Sequence, residues 1–373
     1  MKNYITLLLL FITASTFSQS KSKIQKKVLM VVSSYGKDNG HTRPGFEFEE
    51  FVDAYTIFTQ NDVKVTVASP KGGSVVADKF DATKKKNKAF LTNSATRNLL
   101  KQTLPTSTIN ANNYDAVYVI GGKGAMFDLP YDPSLQDIVV NLYNRERTVL
   151  AAVCHGTAAF VHVKDQNKYI LDNEKITGFS NEEERLFKSK WINEFPFLLE
   201  DKLKSRGAIY QESNFMLEKV VISGKFITGQ NPASTKASAE TVLIALGITP
   251  KQRKYTRQEV TLGYIKKYLN TKMDAKELFK EHTANSYNYK LMATYGFLLL
   301  QNTSDDKAKL EKAIGLITTA KPYFFNENFQ LLVAKTQIKI GNINQAKQTL
   351  DALIEKGLLK NEAEKLLHKI SEN

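Results

Sequence analysis

Between residue 26 and about residue 250, short apolar runs rich in β-branched side chains alternate with helical patterns. Strands are expected at 27–34 (KVLMVVSS), 63–70 (VKVTVASP), 116–122 (AVYVIGG), 148–153 (TVLAAV), 175–179 (KITGF) and 220–229 (VVISGKFITG). These runs are nearly continuous rather than alternating, the mark of strands buried on both faces of a parallel sheet. Between the first two, Phe48, Phe51, Tyr55 and Phe58 recur at helical spacing, which predicts a helix over 46–60. After Pro250 the strand patterns vanish and helical periodicity continues to Asn373. The expected organisation is an α/β domain over 24–250, with a flavodoxin-like parallel sheet sandwiched by helices, followed by an all-α helical-repeat domain over 255–373.

Within the helical part, Ala313, Ile317 and Ala320 align with Ala346, Leu350 and Leu353 at an offset of 33 residues. The stretch 331–354, with Gly341 at its turn, resembles a tetratricopeptide repeat, a type of helix pair whose arrays bind peptides. A generic amphipathic helical hairpin reads equally from the same residues.

The N-terminus departs from both patterns. Lys2 precedes an uncharged apolar run, ITLLLLFITA at 5–14, and Thr16-Phe17-Ser18 supplies small residues at cleavage spacing. This predicts a signal peptide over 1–18 and an exported protein, periplasmic or secreted. The run is short for a bilayer span and no later stretch approaches one, so no transmembrane anchor is expected. No cysteine follows the run, which excludes a lipoprotein anchor.

Charge and cysteine content then narrow the chemistry. The 52 basic residues outnumber the 38 acidic ones, and Lys84, Lys85, Lys86 and Lys88 crowd one loop-like stretch. Aromatic residues do not interleave with them, so a solvated basic surface is expected and nucleic acid is not an expected partner. Cys154 is the single cysteine, which rules out an intramolecular disulfide. It ends the run TVLAAV and is followed by His155-Gly156, a strand-to-helix turn that would lift the thiol from the sheet against a helix N-terminus and favour thiolate. Taken singly, its companions read blandly. His155 is a turn or core histidine, Glu184 one of three acids at a solvated helix start, and Glu50 an exposed member of the cluster Glu47, Glu49, Glu50. His41, His155 and His162 show no metal-ligand spacing with acids, and His282 and His368 read as surface residues of the helical part.

Four blocks change this reading: GFEFEEFVDAYTIF at 45–58, YVIGGKGAMFDLP at 118–130, AAVCHG at 151–156, and ITGFSNEEE at 176–184 with ITGQNPAS at 227–234. Together they resemble the DJ-1/PfpI superfamily, in its branch of glyoxalase III enzymes and heat-shock chaperones. The resemblance implies a class I glutamine amidotransferase-like sheet, with Cys154 as nucleophile, His155 as its catalytic histidine and Glu184 as the acidic third member. Glu182 and Glu183 leave that last assignment open by a residue. It further implies that Glu50 hydrogen-bonds the thiol, and that backbone N–H groups of Gly122 and Gly124, with that of His155, hold an oxyanion. Lys123 stands where the branch usually has histidine and Thr157 where it usually has proline; the lysine would favour an anionic or carbonyl substrate.

For activity, the resemblance implies a cofactor-free, glutathione-independent glyoxalase. It would convert a small aldehyde substrate, methylglyoxal or a related 2-oxoaldehyde, to a hydroxy acid, as a hydro-lyase of the D-lactate dehydratase type with deglycase activity on glycated protein. A homodimer is a family expectation. A stress chaperone binding peptide or protein through the helical domain is the second reading, and an amidase or peptidase of the PfpI type the third. The late histidine-x-glutamate motif of the amidotransferases is missing. A redox-sensing thiol would require reversible oxidation of Cys154.

Overall fold

The computed structural model describes residues 25–187, 190–279 and 285–372, so the signal peptide expected at 1–18 and His282 lie outside the described residues. The apolar runs form β1 (Lys27–Val31), β2 (Lys64–Ser69), β3 (Leu104–Pro105), β4 (Ala116–Val119) and β5 (Val149–Val153). Two small ladders come next in the chain, β6 (Lys164–Asp165) with β7 (Lys168–Tyr169) and β8 (Lys175–Ile176) with β9 (Ile209–Tyr210). The hairpin β10 (Val220–Ser223) and β11 (Phe226–Gly229) completes a sheet in the order β10-β11-β5-β4-β1-β2-β3, parallel except for β10.

The chain builds outward from β1 to β2 and β3, then reverses to add β4, β5 and β11 on the other side. A crevice therefore opens beyond the carboxyl ends of β1 and β4, where α/β sheets bind their ligands. Register aligns those ends: Val31 lies beside Val119, and Val119 beside Ala152. The segments leaving these strands therefore emerge at one edge of the sheet.

The helices of this part are α1 (Phe48–Gln60), α2 (Lys85–Thr92), α3 (Ser94–Lys101), α4 (Pro133–Asn144), α5 (Asn181–Phe187), α6 (Leu199–Ser205) and α7 (Thr235–Ala245). Tyr118 of β4 shows how the layers lock: its ring meets Phe58 of α1 edge-on at 5.3 Å and its hydroxyl lies 2.7 Å from Ser238 of α7. The reversal of strand order puts α4 on the opposite face.

Three expectations are corrected. The strand expected at 175–179 contributes only Lys175–Ile176 to a side ladder, and the run 220–229 folds back at Gly224 (φ +52°) into a hairpin rather than one strand. The lysine-rich stretch is helical from Lys85, and Lys84 and Lys86 pair with Glu49 and Asp53 of α1 at 2.6 and 2.7 Å instead of forming a free basic loop.

An all-helical region completes the chain: α8 (Arg257–Leu269), α9 (Ala275–Phe279), α10 (Tyr289–Asn302), α11 (Lys307–Ala320), α12 (Glu327–Lys339), α13 (Ile343–Glu355) and α14 (Lys360–Ser371). Thr256 and Glu259 form a reciprocal capping box at the start of α8, and Asn288, Asp306 and Asn326 cap α10, α11 and α12 through their side chains. The three residue pairs related by the 33-residue offset are all buried, on α11 and α13. His368 is exposed.

The two parts share a core. Phe215 and Leu217, from the loop before β10, are buried with Leu262, Ile265, Met292 and Tyr295 of α8 and α10, and Phe215 stacks on Tyr295 at 4.9 Å. Arg253 and Lys236 clasp Glu259 at 2.6 and 2.9 Å, and Arg253 also bonds Glu240 of α7 at 2.7 Å. Burial alone would raise the Glu259 carboxyl, yet the Thr256 N–H and Lys236 hold it at about 2. Among the described residues no helix is long and apolar enough to cross a membrane.

Candidate active site

β5 is buried along its whole length, and Cys154 succeeds it in a left-handed conformation, φ +58°. For a residue with a Cβ this costs on the order of 1 kcal/mol or more, so the surroundings must impose it. The chain then winds as a 3-10 helix over Cys154–Phe160 rather than the α-helix the sequence predicts. The elbow sets the cysteine against Gly121 at the end of β4, where an added Cβ would lie 2.7 Å from Cys154 Cβ and 2.7 Å from Glu50 Oε2. Only glycine leaves room for thiol and acid together.

Around the sulfur, the structure brings together most of the residues singled out from sequence. Cys154 Sγ lies 3.3 Å from His155 Nδ1, and His155 Nε2 lies 2.6 Å from Glu184 Oε1. With Nε2–H donated to the carboxylate, Nδ1 is left as the acceptor facing the thiol. Phe179 stacks on the imidazole at 4.5 Å and fixes its plane. The first turn of α5 aims Glu184 inward, its N–H bonded to Ser180 O at 3.0 Å. Both His155 and Glu184 are buried, as a core histidine would be but unlike the solvated helix start that Glu184 suggests alone.

Of the three consecutive acids it is Glu184 that reaches the imidazole. Glu183 is held elsewhere: it accepts the Met216 N–H at 2.9 Å, Asn231 Nδ2 at 2.8 Å and Gln230 Nε2 at 3.1 Å. The ITGQNPAS segment thus serves as the socket of Glu183, whose carboxyl burial raises.

Glu50 is buried, not exposed, and its Oε2 accepts the Gly121 N–H at 2.8 Å. Burial, followed by the charge of Glu47, pushes its carboxyl well above the usual range, so the protonated form that can donate is favoured. The thiolate expectation is corrected. Burial pushes the Cys154 thiol up, the neighbouring Glu50 adds to this, and the hydrogen bond from the His155 N–H opposes it. Burial and Glu50 thus work against the thiolate, and His155 Nδ1, 3.3 Å from the sulfur, is the acceptor placed to take the thiol proton.

The glycine turn divides likewise. Gly122 has φ +95°, and a Cβ there would meet Glu47 N at 2.3 Å. The Gly124 N–H donates to Gly45 O at 2.9 Å, which removes it as the oxyanion donor expected from sequence. Lys123 lies at the mouth, its Nζ 3.9 Å from Asp78 Oδ2.

A cavity of about 240 Å³ opens over the sulfur, lined by Cys154 and His155 with Gly122, Lys123, Phe179 and Glu183. Sequence reasoning missed several of its walls. Glu47, dismissed with its neighbours as solvated, lines the cavity from the residue that precedes α1, and burial raises its carboxyl from 4.5 to about 7 against the pull of Lys123. Its spacing from Glu50, one helical turn, was the available signal. Asn231 lay within the ITGQNPAS block without being singled out, and Met216, Gln258 and Leu262 carried none. Among the described residues no cluster of three or more His, Cys, Asp or Glu side chains is placed to hold a metal ion.

A parallel sheet with a strand-order reversal, carrying its candidate chemistry on a cysteine elbow beyond the strand ends, defines an α/β protein of the amidotransferase-like class. The DJ-1/PfpI family model matches residues 41–245, over half of the chain, and the chain belongs to this family. The Schizosaccharomyces pombe protein named glutathione-independent glyoxalase hsp3101 is 27% identical over 247 residues, which cover 58% of this chain and 94% of the relative. The crystal structure of Francisella tularensis Rapid Encystment Protein 24 KDa is 30% identical with a TM-score of 0.55, covering 60% of this chain and 99% of its own. That of glyoxalase III from Candida albicans is 26% identical with a TM-score of 0.54, covering 59% and 97%.

Proposed function

We propose that this chain is a glutathione-independent glyoxalase acting on methylglyoxal or a related 2-oxoaldehyde. The observation that carries the reading is a buried thiol with an acceptor on one side, His155 Nδ1 oriented by Glu184, and a carboxyl favoured in its protonated form, Glu50, on another. Relatives named as glyoxalases support the substrate class.

In this mechanism His155 takes the thiol proton, and the imidazolium is stabilised by Glu184. The Cys154 sulfur adds to the aldehyde carbon, and the resulting alkoxide collects a proton to give a hemithioacetal. Loss of the hydrogen from that carbon and return of a proton to the adjacent one, through an enediol, convert hemithioacetal to thioester with no external oxidant. His155 and Glu50 are the groups placed to move these protons. Water then cleaves the thioester, restoring the thiol and releasing the hydroxy acid. The overall change is addition of one water, the reverse of a dehydration, which makes the enzyme a hydro-lyase. The N–H groups of Gly122 and His155 are the candidate oxyanion donors.

Lactate formation from methylglyoxal without glutathione tests the reading. Cys154→Ala should abolish it, and Glu184→Gln, which keeps the size but not the charge, should lower kcat by about 10²-fold or more. An inactive wild-type protein with its thiol reduced, or full activity in Cys154→Ala, would sink it.

A further inference from the structure

α8 lies beyond the family-matched residues 41–245, and a relative matched over 94% of its own length by 58% of this chain leaves the helical region without a counterpart. Yet Gln258 and Leu262 of α8, one turn apart and so on one face, line the cavity over Cys154. Leu262 is 6% exposed and belongs to the core shared with Phe215 and Leu217, so it is a fixed wall rather than a loose flap. The clasp of Glu259 by Lys236 and Arg253 pins the start of the same helix to the α/β part.

We propose that α8 is a working part of the active site: Leu262 and Gln258 close the outer side of the Cys154 cavity and restrict the substrate to a small carbonyl compound with a compact apolar substituent. The cavity, about 240 Å³, corresponds to roughly eight waters at liquid density. That exceeds what methylglyoxal needs and accommodates an aryl ring. Phe179, Met216 and Leu262 give the lining an apolar part suited to such a substituent, and Gln258 adds an amide to it. The carbonyl chemistry rests on the glyoxalase reading; the wall does not.

Because Cys154 is the single cysteine, thiol labelling reports on this cavity whatever reaction it performs. The test uses the full chain and two reagents, iodoacetamide and the bulkier N-phenylmaleimide, followed by intact mass, alongside kcat/KM for methylglyoxal and phenylglyoxal. Leu262→Ala is expected to raise the bulky-to-small labelling ratio at least about tenfold, with a parallel shift toward phenylglyoxal, and Leu262→Trp to move both the other way. Gln258→Trp, at an exposed position that tolerates the change, should slow the maleimide selectively even if the Leu262 variants fail to fold. Labelling ratios within about twofold of wild type in folded variants overturn the proposal. If labelling ratios shift while wild type turns over neither aldehyde, the glyoxalase reading falls and the wall stands. If turnover is present and neither ratio moves, the wall alone falls.

Discussion

Two carboxyls one helical turn apart, Glu47 and Glu50, both feel the thiol's environment but differ in exposure to it. Glu50 is sealed against Gly121, whereas Glu47 faces the cavity, with a carboxyl raised from 4.5 to about 7. A folded value above the unfolded one means that stability from the neutral acid is full below about 4.5 and is lost as pH rises through about 7. Glu47→Gln should therefore be more stable than wild type at pH 8, by at most about 3 kcal/mol, and no different at pH 4. Urea denaturation at the two pH values decides this, and an equal difference at both would show that the carboxyl is not buried in charged form. Which carboxyls matter was legible for Glu50 and Glu184 only through the motif blocks, because an acid's burial depends on what packs over it. Gly124 shows the converse: the glycine turn is plain in GGKGA, but that its N–H is already bonded to Gly45 is a matter of tertiary contact.

At the scale of elements, the strand–elbow–helix unit and the glycine turn beside it form one mechanical piece. Gly121→Ala would place a methyl 2.7 Å from both Cys154 Cβ and Glu50 Oε2, so thiol or acid must move. The expected cost is about 1–3 kcal/mol in urea denaturation and at least about tenfold in kcat. A variant with wild-type stability and turnover would mean that the two groups have more freedom than their packing implies. The strands themselves were readable because continuous apolar runs survive burial on both faces. Their ends were not: 116–122 stops being strand at Val119, since Gly121 and Gly122 leave the sheet to build the site. β3, with two residues, has no pattern to detect, and the turn at Gly224 hides within an apolar stretch that reads equally as one strand.

For the whole molecule, the change of pattern at Pro250 announced the helical region, but nothing in the sequence revealed the face on which it docks. That face depends on Phe215 and Leu217, which sit in a loop of the α/β part and look like ordinary core residues there. Phe215→Ala should cost about 3–5 kcal/mol and weaken both parts together, so that calorimetry still shows one cooperative transition. A split into two transitions, with only the helical part melting early, would show that the shared core is not what joins them. The docking also orders events in time. A ribosome delivers Cys154 about a hundred residues before Leu262, so at roughly 5–20 residues per second the thiol precedes this wall by roughly 5–20 seconds. Until then the sulfur lacks part of the wall that covers it in the finished protein, and the newborn chain is more open to electrophiles there than the folded one.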